Sequence, residues 1–164
     1  MQIGLVSPAQ HDSLVTLLCE LYAYYNPTPI EPALVREHLQ QRLLARDSPL
    51  QLVVAVEHGT VLGFAAFALL YSLVDPTPGQ RRQCMMKELY VRDACRGRGV
   101  GRALMAWIAR HALEEGCCRV DWNVQASNPR GIAFYESLGA ARVGDRLSYR
   151  LGRAAMDALS SSGS

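Results

Sequence analysis

The sequence has no apolar run long enough to cross a bilayer: the uncharged stretch Thr60–Val74 falls short of the ~20 residues a spanning helix needs. Its start, MQIGLVSPAQHDS, has no basic segment followed by an apolar core, so no secretory leader is expected and the protein is placed in the cytoplasm. It has no C-x-x-C pair. The five cysteines (Cys19, Cys84, Cys95, Cys117 and Cys118) are odd in number, and the adjacent Cys117 and Cys118 are poorly spaced as metal ligands. Reduced, mostly buried thiols and no metal site are therefore expected. There is no internal repeat, and no low-complexity stretch apart from Ser160–Ser164. Net charge is scarce too: 17 Lys and Arg against 15 Asp and Glu leave +2. Nearly all the basic residues are arginines, but without an aromatic stacking row the set Arg81, Arg82, Arg92, Arg96, Arg98 and Arg102 does not make a nucleic-acid interface.

What is present is an ordinary globular composition. The 164 residues are 49% hydrophobic and 20% charged, inside the folded range. That length corresponds to about one domain and buries roughly 70% of the unfolded surface, so no disulfide or metal is needed to hold it. Residues 1–152 are expected to form a single domain, and residues 153–164 a partly disordered tail.

A short apolar run, Ile3–Val6, leads into Ser7-Pro8-Ala9-Gln10, which has the residues of a capping box with proline at the first helical position. Leu14, Leu17, Leu18, Leu21 and Tyr25 follow at helical spacing until Asn26-Pro27-Thr28-Pro29 ends the pattern. A second helix opens near Pro32. Leu52–Val56 and Val61–Tyr71 flank His58-Gly59 and read as a hairpin. Asp75–Gln83 reads as a loop and Cys84–Val91 as a buried strand. Val100, Ala103, Leu104, Trp107, Ile108 and Ala112 then form a helical stripe, with Gly116 as its stop. A strand over Arg119–Val124, a short helix capped by Asn128-Pro129, and a closing strand over Val143–Leu151 complete the chain. The order β-α-α-β-β-β-α-β-α-β predicts an α/β fold of the mixed-sheet, α+β kind, with helices on both faces.

The sharpest local feature is Arg96-Gly97-Arg98-Gly99-Val100-Gly101-Arg102, set between a strand and a strongly amphipathic helix. It lacks the third glycine of a dinucleotide fingerprint and the G-K-S/T of a Walker loop. Its glycines still let the backbone approach a ligand, and the amides of a helix N-terminus favour an anion. With Arg96, Arg98 and Arg102 around it, such a turn suits a diphosphate; the alternative is a solvated arginine turn.

These residues resemble a known family. Arg96-x-x-Gly99-x-Gly101 is similar to the Arg/Gln-x-x-Gly-x-Gly/Ala acyl-CoA motif of the GNAT superfamily of N-acyltransferases. Asn128-Pro129-Arg130-Gly131-Ile132-Ala133-Phe134-Tyr135-Glu136-Ser137-Leu138-Gly139-Ala140 resembles that family's second block, N-x-x-A-I-x-F-Y-x-x-L-G-F/A, and Glu88-Leu89-Tyr90-Val91 its E-L-Y-V strand. Order and spacing agree, and the resemblance runs from Ile3 to about Leu151. Within the superfamily the combination looks most like the diamine (spermidine/spermine-type) acetyltransferases.

The resemblance implies a GNAT-like fold, acetyl-CoA as cofactor, transfer of its acetyl group to a primary amine of a small molecule, and a homodimer. It assigns the cofactor arm to Leu89, Tyr90 and Val91, the pyrophosphate to Arg96, Gly97, Arg98, Gly99, Val100, Gly101 and Arg102, and further cofactor contacts to Asn128, Arg130 and Tyr135. Tyr135 is implied as the general acid. A phenol can protonate a departing thiolate, since its pKa near 10 exceeds the thiol's near 8.5. The alternative for Tyr135 is one more core aromatic on a helix. Most amines enter protonated, and Glu88 or an ordered water is implied as the base; an ion pair of Glu88 with Lys87 or an arginine is the alternative.

The chain departs from the diamine group where that group commonly reads E-D-L-Y-V, since position 87 is lysine. The exit of the first helix, Tyr24-Tyr25-Asn26-Pro27-Thr28-Pro29-Ile30, is also aromatic and uncharged. A smaller amine, or an amino acid with an apolar or aromatic part, is as compatible as a polyamine. The resemblance places the acceptor site at Tyr22, Tyr24, Tyr25 and Trp122, with the Asp75–Arg82 loop, although Tyr22 and Tyr25 would also serve as core residues. His11, His38, His58 and His111 have no ligand spacing and are read as surface or core histidines. Two alternatives to the small-molecule enzyme stand: an acyl-CoA-binding module without catalysis, and a peptide or protein N-acetyltransferase.

Overall fold

The computed structural model describes residues 1–161. The chain divides into two compact units, Met1–Asn123 and Val124–Ser164.

In the first unit, β1 (Gln2–Leu5) is followed by a 3-10 turn at Pro8–Gln10 and helix α1 (His11–Tyr25). The expected cap is present as a local clasp. Gln10 Oε1 accepts from the Ser7 amide at 2.7 Å and from the Ser7 hydroxyl at 2.8 Å. Helix α2 (Pro32–His38) runs on into a π-helical turn over Leu39–Leu43. Strands β2 (Gln51–Glu57) and β3 (Thr60–Tyr71) form the hairpin read from His58-Gly59. Both turn residues have positive φ, 48° and 77°, as a two-residue type I′ turn requires. Next come β4 (Arg82–Val91), α3 (Val100–Glu114) and β5 (Val120–Asp121). The sheet order is β1-β2-β3-β4-β5, antiparallel except for β4–β5, which the α3 crossover joins in parallel.

Alternation in β2 and β3 sorts the core onto two faces. Leu52, Val54, Val61, Phe64 and Ala66 pack with Leu14, Leu17, Val35 and Leu39 of the α1–α2 layer. Phe67 lies on the opposite face, its ring 6.1 Å from that of Trp107 in α3. Leu14, Leu17, Phe67, Leu104 and Ile108 are all 0% exposed. Burying each stabilises the fold by roughly 1.5–3 kcal/mol. The thiols of Cys84, Cys95 and Cys117 are buried, while Cys19 and Cys118 are half-buried. Burial, helped by the neighbouring Cys117 and Asp121, pushes the Cys84 thiol up to about 11, so it is not nucleophilic at neutral pH.

Two irregularities in register shape the sheet. Between β2 and β3 the pairing jumps from Ala55↔Gly63 to Val56↔Val61, which turns Val61 toward α1. Between β3 and β4 it jumps from Phe67↔Met86 to Ala66↔Glu88, leaving Lys87 as an unpaired, exposed bulge.

The second unit holds α4 (Pro129–Glu136) and α5 (Arg153–Ser161). Asn128 caps α4, its Oδ1 accepting from the Gly131 amide at 2.9 Å. The rings of Phe134 and Tyr135 lie 5.1 Å apart. Past the helix, Arg142 pairs with Glu136 at 2.7 Å.

Three sequence readings need correction or comment. The closing strand over Val143–Leu151 does not form: residues 141–152 carry no helix or strand and are exposed. Leu147, Tyr149 and Leu151 do alternate with Arg146, Ser148 and Arg150, but alternation gives a strand only where a neighbour supplies the ladder, and the described residues offer none. The strand expected over Arg119–Val124 is only Val120–Asp121. Most of the segment expected as a tail is helix α5, and residues 162–164 lie outside the described residues.

Candidate active site

The C-terminal half of β4 is where several expected residues meet. The bulge sets their orientation. Cys84 and Met86 face α3 and are buried at 0% and 3%. Without the extra residue, strict alternation would send Glu88 to that face as well. With it, Glu88 stands opposite Ala66 and Tyr90 opposite Phe64, both turned to the α1–α2 layer. The Tyr90 and Phe64 rings are 6.5 Å apart.

Glu88 opens into a cleft of about 550 Å³, a size typical of small-molecule sites. Helix α1 supplies Leu18, Leu21, Tyr22 and Tyr25 to it, a single i, i+3, i+4, i+7 stripe. Helix α2 supplies Leu34, Val35 and His38, and Leu43 comes from the π turn that ends it. Tyr25 and Leu34, 52% and 57% exposed, make the rim, while Leu18, Leu21 and Glu88 are half-buried. Burial pushes the Glu88 carboxyl above the usual carboxylate range, only partly offset by a hydrogen bond from the Leu89 amide and by the charge of Lys87. The Tyr25 hydroxyl is raised as well, by burial first and then by the Glu88 carboxylate and Tyr24. Tyr22, Tyr25 and Glu88 therefore share one cleft. Trp122 follows β5 and does not line it, and neither does the Asp75–Arg82 loop.

The backbone of β4 beyond the bulge has a free side within the sheet. Its ladder with β5 stops at Met85↔Asp121, so, among the described residues, Met86 and residues 88–91, including Leu89, Tyr90 and Val91, pair with β3 alone. The chain then turns through Arg96-Gly97-Arg98-Gly99 into α3. Gly97 and Gly99 sit at φ 76° and 79°, where a side chain is strained, and nothing lies within 4 Å of a Cβ built on either. Gly99 is the N-cap of α3 and offers no side chain to it, so the helix opens on its first amides, Val100 and Gly101 among them.

Packing at Gly63 holds this turn against the sheet. A Cβ there would lie 2.9 Å from the Tyr90 carbonyl oxygen and 3.2 Å from Val100 Cγ1. Sequence reasoning missed Gly63, for a lone glycine inside a strand marks a close approach without saying to what. It also missed His38 and the α2 side of the cleft.

The arginines of the turn are tied locally. Arg96 donates to the Val91 carbonyl oxygen at 3.1 Å and pairs with Asp93 at 2.6 Å. Arg98 pairs with Glu57 at 3.0 Å and holds that carboxyl below its usual range. Such solvent-screened pairs are weak, so a diphosphate arriving at the turn displaces them at little cost. Positive-φ glycines, open space and helix amides together fit the diphosphate of a CoA molecule. In the second unit, Asn128 uses its side-chain oxygen as the α4 cap, Arg130 is exposed, and Tyr135 is half-buried.

Comparison with known proteins identifies the family. The model of the acetyltransferase (GNAT) family matches residues 15–140, most of the chain. The chain belongs to the GNAT family. Among curated relatives, this GNAT chain is similar to the L-ornithine N5-acetyltransferase of Arabidopsis thaliana, 31% identical over 99 residues, covering 60% of this chain and 40% of that protein. It is also similar to the thialysine N-epsilon-acetyltransferase of Bos taurus, 29% identical over 80 residues, covering 49% of this chain and 44% of that one. The GNAT chain thus spans less than half the length of these relatives. Among solved structures, an integron cassette protein from the mobile metagenome of V. cholerae superposes with a TM-score of 0.87 at 29% identity, covering 97% of this chain and 96% of that one.

Proposed function

We propose that the protein is an acetyl-CoA-dependent N-acetyltransferase acting on a primary amine of a small molecule. The observation that carries this reading is the continuity of one element. Strand β4 presents Glu88 to an apolar cleft on one face and a free backbone side over residues 86–91, and it runs directly into the glycine turn at the start of α3.

Acetyl-CoA, when bound, supplies the thioester acetyl group. Leu89, Tyr90 and Val91 offer backbone groups to its arm, and the Gly97–Gly101 backbone and Arg102 hold its diphosphate, with Asn128 and Arg130 as further contacts taken from the second motif block. Glu88 accepts the proton that an incoming ammonium must lose before its nitrogen is nucleophilic. Its raised affinity for protons suits that role, because a base poised nearer to neutrality transfers protons more effectively. Tyr135 is the proton donor to the departing sulfur, by its place in the second block. The pattern of the first relatives, both named for transfer to a side-chain amine, supports a small-molecule acceptor.

Thermal melts with acetyl-CoA, CoA and ATP side by side test the reading. A ligand at about 100 times its Kd adds roughly 2.7 kcal/mol. Acetyl-CoA and CoA are expected to raise the midpoint by several degrees, and ATP is not. No shift with acetyl-CoA contradicts the proposal.

A further inference from the structure

Resting on that reading, we infer that the acceptor is an uncharged-bodied monoamine, an aromatic or aliphatic group carrying a single ammonium, rather than a diamine, a polyamine or an α-amino acid. The lining of the cleft supports this by what each residue can and cannot neutralise. Of the residues that line it, Glu88 is the one acid, and none is lysine or arginine. One carboxylate meets one ammonium. A second ammonium lodged beside Leu18, Leu21, Ile30 and Val35 would give up water with no counter-charge among the lining residues, which is costly for a charged group. An acceptor carboxylate faces the same difficulty: His38 is the one lining group able to become cationic, and it is exposed.

The body of such an amine is well provided for. Tyr22 and Tyr25 line the α1 side with aromatic side chains, and Leu34 and Val35 line the α2 side. The volume of about 550 Å³ accommodates a ring system as well as the amine. This differs from the ornithine and thialysine for which the relatives are named, both of which carry further charges. Leu34 is the discriminating position. It lies on the exposed rim of α2, where an acid would be tolerated by the fold and would give the cleft a second negative charge.

The test uses the whole chain with phenethylamine, putrescine and ornithine as acceptors, the wild type beside Leu34→Asp. Calorimetric binding of each amine without acetyl-CoA gives a readout independent of turnover. For the wild type, phenethylamine should bind and should exceed putrescine and ornithine in kcat/KM by roughly tenfold or more, a modest share of the penalty on a fully buried unpaired charge because the cleft is open at its rim. In Leu34→Asp, that ratio should fall by about as much, with putrescine gaining and the melting curve retained. Preference of the wild type for putrescine or ornithine overturns the inference while leaving the acetyltransferase intact. Acetyl-CoA binding with no amine acetylated overturns the acetyltransferase reading, and the substrate class falls with it.

Discussion

Glu88 stands opposite Ala66 in the β3–β4 ladder, with Lys87 bulged out just before it. That single register position decides which side of the sheet the carboxylate serves. In an unbroken ladder Lys87 would face Ala66, and Glu88 would be driven against α3 among Met86 and Phe67. The bulge instead delivers it to the cleft beneath α1 and α2, where burial raises its proton affinity.

A carboxyl whose folded-state pKa is raised costs stability once it ionises. The native state then holds its proton over a pH range in which the unfolded chain has lost it, so stability falls as pH rises from the usual carboxylate range toward the raised value. Glu88→Gln is therefore expected to melt above the wild type at pH 7 and level with it in acid. The same variant should lose about 10²–10⁴-fold in turnover. The wild-type rate profile should show an acid limb above the ordinary carboxylate range, and a Glu88→Gln protein as active as wild type removes Glu88 from the mechanism.

The glycine turn makes a backbone prediction. Gly99 has φ 79°, a conformation that costs a residue with a Cβ about 1–2 kcal/mol. Gly99→Ala should melt lower, by roughly 2–4 °C per kcal/mol for a protein of this size. It should also weaken acetyl-CoA binding in calorimetry. Gly99→Asn should do less harm, since asparagine tolerates left-handed backbone better.

In the second unit, the α4 cap depends on a glycine. A Cβ at Gly131 would lie 2.7 Å from the Asn128 Nδ2 and 3.2 Å from its Oδ1, the acceptor of the cap. Gly131→Ala and Asn128→Ala should each cost on the order of 1 kcal/mol. The double variant should cost clearly less than their sum, because both remove one hydrogen bond. Additive losses in urea unfolding would show that the cap is not what Gly131 protects.

Tyr135→Phe separates binding from chemistry. It should retain acetyl-CoA affinity in calorimetry while turnover drops by about 10²-fold or more, the usual scale for a general acid. Unchanged turnover takes the phenol out of the reaction.

Much of this was legible in the chain because it is written locally. His58-Gly59 sets a two-residue turn, Ser7 and Gln10 clasp the entry to α1, and the stripe through α3 starts where Gly99 caps it. Leu18, Leu21, Tyr22 and Tyr25 share a helical face that spacing shows, while their place at the acceptor site came from the family resemblance. What was not legible depends on partners distant in sequence. The bulge at Lys87 arises from register with β3, and no local pattern marks it. The alternation in residues 147–151 promised a strand that finds no ladder among the described residues. The sequence surrounds the turn with the positive charge of Arg96, Arg98 and Arg102, but Arg96 and Arg98 are held by Asp93 and Glu57, and the turn's appeal to an anion rests more on its amides.

The central claim is that acetyl-CoA and an amine react on this chain, and the direct measurement follows both products together. Free thiol released from acetyl-CoA is titrated while the mass of the amine is monitored, with phenethylamine present and absent. The account predicts thiol release that depends on the amine, one thiol for each acetylated amine, and loss of both in Glu88→Gln. Acetyl-CoA that binds but yields no amine-dependent thiol with phenethylamine, putrescine or ornithine would contradict it, and would make the protein an acyl-CoA-binding module.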